Sequence, residues 1–230
     1  MLLVTSLGKE GYHQYGKKML QTLKNACKLP VRVYTEDDLT IPGVDVLSLH
    51  DVPGWKEFAR DSAHIEPQSY IFDARKFCHK VYAQLDAFES RHRYVVWLDA
   101  DVVAKKKFGE KFIKNLLDGE MCAFLGRQHS YTETGFIVFD THHPDFPEFK
   151  KRYREWYDKR YLYMLPYWID CMAFDASKHE LSQKNLTPNA QGMMDVFSQS
   201  DLKEYFDHDK GMRKHRRPKE PMMNVNREAS

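Results

Sequence analysis

The chain has 230 residues, of which 42% are hydrophobic and 13% aromatic, and its formal net charge is +2. This length predicts one domain, and this composition excludes an intrinsically disordered protein. A charge this small does not by itself indicate a nucleic-acid-binding protein. No apolar run reaches the roughly 20 residues of a transmembrane helix, the first residues lack a signal-peptide pattern, and the four cysteines form no CxxC pair. A cytoplasmic protein without a membrane span is therefore expected.

The first fifty residues alternate between strand and helix patterns. Apolar residues predict strands over residues 2–7, 31–34 and 44–49, and apolar residues at helical spacing predict a helix over residues 12–27. Strand, helix and strand in this order favour a right-handed crossover and a parallel sheet. Residues 50–72 follow no clear period, so a long connection is predicted there.

A helix is predicted from Asp73, which is a suitable N-cap. The beginning of this helix carries basic residues, among them Arg75 and Lys80, and cations near a helix N-terminus oppose the helix dipole. An anionic ligand such as a diphosphate would compensate for them. The alternative is a solvated basic face, and the sequence leaves both interpretations open.

The stretch that organises the chain is residues 94–103, where apolar residues lead directly into Asp99 and Asp101. An unbroken apolar run predicts a central strand buried on both faces, and ligands of open α/β sheets bind at the carboxyl ends of such strands. Strand alternation would point both carboxylates to the same side, where a divalent cation would relieve their repulsion. The alternative is that one Asp caps a loop while the other is solvated.

The second half continues the alternation. We predict helices over residues 108–117, 147–160 and 168–174, and strands over residues 121–125 and 133–140. The last of these strands begins with Glu133, Thr134 and Gly135, and a glycine there allows a substrate to approach the backbone. Asp170 lies in an apolar neighbourhood, where it is either a functional carboxylate or the N-cap of its helix.

Three separated motifs resemble those of the GT-A glycosyltransferases. They are Asp99-Ala100-Asp101 after a buried strand, Thr134-Gly135 before an apolar strand, and a tail with the spacing His208-x-x-Gly211-x-x-Lys214. The tail is similar to the motif of the glycogenin-like and galactosyltransferase-like branch. Two departures are visible, because Glu133-Thr134 replaces the usual Asn-Ala of that branch and His215-Arg216 replaces the usual Pro-Trp.

The resemblance implies an α/β fold with a mixed, mostly parallel central sheet flanked by helices, and a nucleoside-diphosphate sugar as donor. It implies a divalent metal, Mn²⁺ or Mg²⁺, on Asp99, Asp101 and His208, although Asp99 could instead hold the ribose. Asp170 or Glu133 would orient the acceptor hydroxyl or act as base. The base of the nucleotide would stack on Tyr12 or Tyr34. The remaining contacts to the nucleotide sugar and its diphosphate are assigned to Thr5, Arg75, Lys80, Gly135, Gly211 and Lys214.

The whole chain is predicted to form one GT-A-like domain. Residues 1–103 would be the nucleotide-binding half, residues 104–219 the acceptor half with the metal- and diphosphate-binding tail, and residues 220–230 a frayed end. The acceptor would be a glycan or a small molecule. Basic residues within 213–219 leave DNA with a hydroxymethylated base as an alternative acceptor, as in an enzyme of bacteria or of a phage-infected host cell.

Two further classes of protein could carry the paired aspartates. A nucleotidyltransferase could hold a nucleoside triphosphate with Asp99 and Asp101, but the Gly-rich, basic signature that such enzymes usually have after the first strand is weak here. A non-catalytic nucleotide-sugar-binding module would keep the metal ligands and need no acceptor cleft. Hydrolysis of a UDP-sugar with Mn²⁺ would distinguish the glycosyltransferase from both.

Overall fold

The structure, a computed structural model, describes residues 1–191 and 196–208. Its strands are β1 (Leu2–Ser6), β2 (Val31–Thr35), β3 (Asp45–Ser48), β4 (Tyr94–Leu98), β5 (Val102–Ala104), β6 (Cys122–Arg127), β7 (Ser130–Asp140), β8 (Gln183–Asn185) and β9 (Phe206–His208). Seven of them form the central sheet in the order β3-β2-β1-β4-β7-β6-β8, while β5 and β9 pair in a separate small sheet. Strands β1 to β4 run parallel to one another, as do β6 and β8, whereas β7 is antiparallel to both β4 and β6. The predicted mixed, mostly parallel sheet is confirmed.

Helices cover both faces of this sheet. They are α1 (Lys9–Gly11), which continues through the π-helical turn Tyr12–Gly16 into α2 (Lys17–Ala26), then α3 (Trp55–Asp61), α4 (Ala74–Ala87), α5 (Glu110–Leu117), α6 (Phe146–Asp158) and α7 (Asp170–Lys178). Short 3₁₀ turns occupy Leu49–Asp51, Tyr70–Phe72, Tyr161–Met164, Val196–Gln199 and Asp201–Glu204.

The central strand β4 shows how the apolar pattern determines the layers. Val95 and Trp97 belong to one core cluster, which includes side chains of α4, α6 and α7. Val96 and Leu98 belong to the other, which includes side chains of α2 and α5. Because successive strand residues point to opposite faces, an unbroken apolar run is what a strand between two helical layers requires.

Two predictions about local structure are corrected. The connection predicted over residues 50–72 contains helix α3, whose Trp55 and Phe58 are buried in the core. That helix is too short to show a period in the sequence. The predicted strand ends at Leu98, so Asp99 and Asp101 lie in a turn, which a hydrogen bond from the Val102 N–H to the Asp99 carbonyl closes at 2.9 Å. Strand alternation therefore does not orient the two carboxylates.

The predicted N-cap of the long central helix is confirmed. The Asp73 side chain accepts a hydrogen bond from the backbone N–H of Lys76 at 3.1 Å at the start of α4. Asp170, by contrast, is the first residue of α7 and its N-cap is Ile169, so the capping alternative for Asp170 is wrong.

Candidate active site

A cleft of about 860 Å³ opens where β1 and β4 end. Ser6 and Gly8 line it after β1, and Asp99 and Asp101 line it after β4. Two further carboxylates line the same cleft, from Glu133 in the first half of β7 and from Asp170 at the start of α7. The carboxyl ends of parallel strands thus meet the antiparallel strand β7 here, which is the expected position of a ligand site in an open α/β sheet.

A buried lysine joins two of these carboxylates. The Lys80 ammonium donates to Asp99 Oδ1 at 2.9 Å, lies 2.9 Å from Asp170 Oδ2, and donates to the Thr134 carbonyl at 2.6 Å. Burial by itself would lower the pKa of Lys80, but the attraction of Asp170 and then of Asp99 outweighs burial and raises that pKa above its usual value. Lys80 is therefore a permanent cation that fixes Asp99 and Asp170 beside each other.

His208 reaches the site through the small sheet. Strands β5 and β9 pair antiparallel, and the register sets Val102 opposite His208. The imidazole Nε2 of His208 lies 3.0 Å from Asp101 Oδ1, and both side chains are almost fully buried. Two residues that are 107 positions apart in the sequence are thereby in hydrogen-bond contact.

Glu133 forms the other side of this centre. One of its oxygens pairs with the Arg127 guanidinium, and the other accepts a hydrogen bond from the Gly135 N–H at 3.1 Å. The same Glu133 oxygen, Oε1, lies 3.9 Å from Nδ1 of His208. Gly135 is required here for its size, because a Cβ at that position would lie 2.7 Å from Cε1 of His208.

The donor atoms at this centre fit a divalent metal. One ligand atom from each of Asp99, Glu133 and His208 lies within 4.8 Å of the others, and Asp101 is in contact with His208. Carboxylate oxygens together with one imidazole nitrogen suit Mn²⁺ better than Ca²⁺, which prefers oxygen ligands alone. Glu133, which the resemblance assigns to the acceptor side, thus also lies among the potential metal ligands.

Several sequence-predicted residues do not line this cleft. Tyr34 is fully buried, and its hydroxyl donates to Asp86 at 2.6 Å. Thr5 is buried within β1, and Tyr12 packs against the α2 side of the core. Arg75 is exposed and lines a neighbouring depression. The structure therefore does not bring these four side chains to the candidate metal centre.

The remaining sequence-predicted residues divide into two groups. Lys80, Asp99, Asp101, Glu133, Asp170 and His208 all line the cleft, and Gly135 lies directly beside His208. Gly211 and Lys214, which were assigned to the diphosphate, lie outside the described residues.

Sequence analysis missed two side chains that hold the centre together. The Trp97 indole donates to Asp99 Oδ1 at 2.7 Å, and Arg127 pairs with Glu133. In the sequence Trp97 is an ordinary apolar residue of a buried run, so nothing in the pattern indicates its polar contact. A signal for Arg127 does exist, because a cation that directly follows a buried apolar strand needs a nearby anion.

Comparison with known proteins gives a match by structure. No protein-family profile and no curated protein sequence matches the chain. An active-site mutant of LgtC superposes with a TM-score of 0.55 at 12% identity, covering 81% of this chain and 73% of that one. The galactosyltransferase LgtC with donor and acceptor sugar analogues gives 0.52 at 14% identity, covering 76% and 69%. The bifunctional glycosyltransferase WbbM gives 0.51 at 13% identity, covering 81% of this chain and 38% of WbbM.

These similarities agree with the topology described above. None of the helices within residues 1–191 and 196–208 has the length and apolar character that crossing a bilayer requires. The structural neighbours are glycosyltransferases, and the mixed, mostly parallel sheet flanked by helices is the architecture that the resemblance implies. The chain therefore has the GT-A fold.

Proposed function

We propose that this protein is a metal-dependent glycosyltransferase that moves a sugar from a nucleoside-diphosphate sugar, with a UDP-sugar as the first candidate, to an acceptor hydroxyl. The observation that carries the proposal is the convergence of Asp99, Glu133 and His208 in the cleft at the end of the central strand. The fold supports the proposal, because the structural neighbours are glycosyltransferases, among them one crystallised with donor and acceptor sugar analogues.

The transfer exchanges one bond at the anomeric carbon for another. The bond to the β-phosphate oxygen breaks and leaves its electron pair on the diphosphate, while the acceptor oxygen bonds to the anomeric carbon and loses its proton. The side chains of Asp99, Asp101, Glu133 and His208 are the available ligands of a divalent cation. When bound, the cation would supply positive charge beside the departing diphosphate.

Asp170 is the carboxylate that we assign to the acceptor hydroxyl. Its Oδ2 accepts from the Thr134 hydroxyl at 2.6 Å and lies 2.9 Å from the Lys80 ammonium, so the orientation of the carboxylate is fixed. Its Oδ1 receives a long contact of 3.8 Å from the Cys171 thiol, as far as the described residues show. Oδ1 is therefore the atom that would accept a hydrogen bond, and then the proton, from the acceptor hydroxyl.

The DNA alternative depends on basic residues 213–219, which lie outside the described residues. The enzyme proposal itself does not depend on them, because its metal ligands and its carboxylate Asp170 are all described.

Release of the nucleoside diphosphate from a panel of sugar nucleotides that includes UDP-sugars, in buffer with Mn²⁺ and without an acceptor, tests the proposal. We expect slow hydrolysis of at least one donor, its loss on adding a chelator, and its recovery with excess Mn²⁺. The Asp99→Asn variant should lack this activity, whereas exposed Lys111 lies on α5 away from the cleft, so Lys111→Met should match the wild type. Binding of sugar nucleotides without turnover would support the binding-module alternative, and binding of none in the panel would refute the proposal.

A further inference from the structure

Two exposed aromatic side chains of the described residues, Tyr70 and Tyr167, lie at one edge of the cleft. Among residues 1–191 and 196–208, the large hydrophobic side chains that are exposed are Tyr70, Tyr161, Met164 and Tyr167, with Tyr70 62% exposed. All four come from two stretches, residues 62–73 and 161–168. Single exposed apolar residues are common, but a contiguous group marks a surface that binds something.

Ring contacts make these two stretches into one surface. The Phe72 ring lies 6.0 Å from the Tyr167 ring and 5.2 Å from the Trp168 ring, measured between centroids. The backbone N–H of Trp168 donates to the backbone carbonyl of Ile71 at 2.9 Å, which fixes the two stretches to each other. The aromatic rim, as we name it, consists of Tyr70, Phe72, Tyr131, Tyr167 and Trp168.

The aromatic rim is continuous with the cleft. Tyr70 and Tyr131 line the cleft together with Asp170, and the Tyr131 ring lies 6.3 Å from the Tyr167 ring. A ligand that lies on the rim would therefore extend into the same space as the carboxylate proposed to receive the acceptor proton.

The charges along the cleft indicate which kind of ligand fits. Among the described residues, five carboxylates and three lysine or arginine side chains line the cleft. Two of these three cations are paired with carboxylates. The carboxylates are Glu36, Asp99, Asp101, Glu133 and Asp170, and the cations are Lys76, Lys80 and Arg127. A polyanion such as DNA would be repelled here, while a neutral polyol would not.

We propose that the aromatic rim is the acceptor subsite and that the acceptor is an uncharged saccharide. The Tyr131 and Tyr167 rings are inclined by 73° to each other. The apolar C–H face of a sugar ring would therefore stack on Tyr167 while the Tyr131 ring contacts the edge of the sugar, and a ring hydroxyl would point toward Asp170. The weakly positive C–H groups suit the negative face of an aromatic ring, and tyrosine provides this surface at a low entropic cost. This inference rests on the proposed function, because a saccharide on the rim is an acceptor only if the protein transfers a sugar.

Ligand binding can test the rim without turnover. The first measurement is calorimetry of UDP with Mn²⁺ on the wild type, which tests the donor site. The second is saturation-transfer NMR on the same sample with the common hexose and pentose methyl glycosides and with lactose, maltose and cellobiose. The third replaces the saccharides with a 12-base-pair DNA duplex.

We expect at least one saccharide to bind the wild type and its affinity to fall about tenfold in Tyr167→Ala and in Tyr131→Ala. Tyr167→Phe should stay within about threefold of the wild type, because it keeps the stacking ring. Tyr161→Ala is the matched control, since Tyr161 is also exposed but contacts Trp156 away from the cleft. Thermal unfolding of each variant shows whether it is folded.

Three outcomes would overturn the inference. They are saccharide binding by no sample, an equal loss in the Tyr161→Ala control, and competition of the DNA duplex with the saccharide at the rim. If UDP with Mn²⁺ also fails to bind, the UDP-sugar form of the proposed function fails as well. If UDP binds but the saccharides do not, the acceptor inference alone fails.

Discussion

Replacing Lys80 by methionine should destabilise the protein by about 3 kcal/mol, because breaking a buried ion pair leaves an uncompensated charge. Methionine keeps most of the apolar stem of lysine, so the change removes mainly the charge, including the ammonium that lies 5.2 Å from the centroid of the Trp97 ring. The ammonium that is lost forms ion pairs with Asp99, whose side chain is 31% exposed, and with Asp170, whose side chain is 3% exposed. Asp99 can recover some hydration and Asp170 cannot, which sets the estimate at the lower end of the usual range of about 3–5 kcal/mol.

Urea unfolding followed by circular dichroism measures this difference, with Lys111→Met as the control. Lys111 is also a helical lysine but is exposed, so its substitution should change stability by less than about 0.5 kcal/mol. The pKa of Lys80 is raised in the folded state, so its contribution is complete below the unfolded pKa of about 10.4 and is lost only above it. The difference between variant and wild type should therefore be constant from about pH 6 to pH 9. A loss in Lys80→Met no larger than that of the control would refute the assigned role of this lysine.

Three further substitutions test the centre around His208. Asp101→Ala should abolish Mn²⁺-dependent turnover while circular dichroism shows a retained fold; full activity in this variant would contradict the metal assignment. Gly135→Ala places a Cβ 2.7 Å from Cε1 of His208, so we expect a loss of about 1–3 kcal/mol in urea unfolding and weaker Mn²⁺ binding by calorimetry. Arg127→Met leaves Glu133 buried without its cation and should cost about 3–5 kcal/mol, which the added Glu133→Gln change should partly restore. No such recovery in the double variant would show that the pair is not the source of the loss.

The fold could be predicted largely because its central strand is unambiguous. The apolar run at 94–98 became β4, and its alternating residues reach the two helical layers. The short strands β5, β8 and β9 have three residues each, which is too few to show a period. The pairing of β9 with β5 joins segments that are far apart in the chain, so no local pattern indicates it. Local patterns therefore predict the central sheet but not the small sheet of β5 and β9 that positions His208.

The candidate site was predictable in its residue types but not in its contacts. Asp99, Asp101 and His208 were chosen by motif, and the structure brings all three to one cleft. The roles of Lys80 and Glu133 depend on contacts across 19 residues to Asp99 and across six residues to Arg127, and neither contact follows from sequence spacing. Tyr34 was predicted to contact the nucleotide base and does not line the cleft. An aromatic residue in a strand can face either side of the sheet, and Tyr34 is buried in the core.

The charge balance of the site leads to a final prediction about the order of binding. Among the described residues, this centre contains four carboxylates and two cations, so its formal charge is −2 when His208 is neutral. The carboxylates are Asp99, Asp101, Glu133 and Asp170, and the cations are Lys80 and Arg127. A diphosphate is also anionic, so these side chains alone should repel it, while one divalent cation would balance the excess. We therefore expect calorimetry to detect UDP binding with Mn²⁺ and none after chelation, with Mg²⁺ restoring it in part. Equal UDP affinity with and without a divalent cation would show that cations outside this centre bind the diphosphate, and that the carboxylates do not control donor binding.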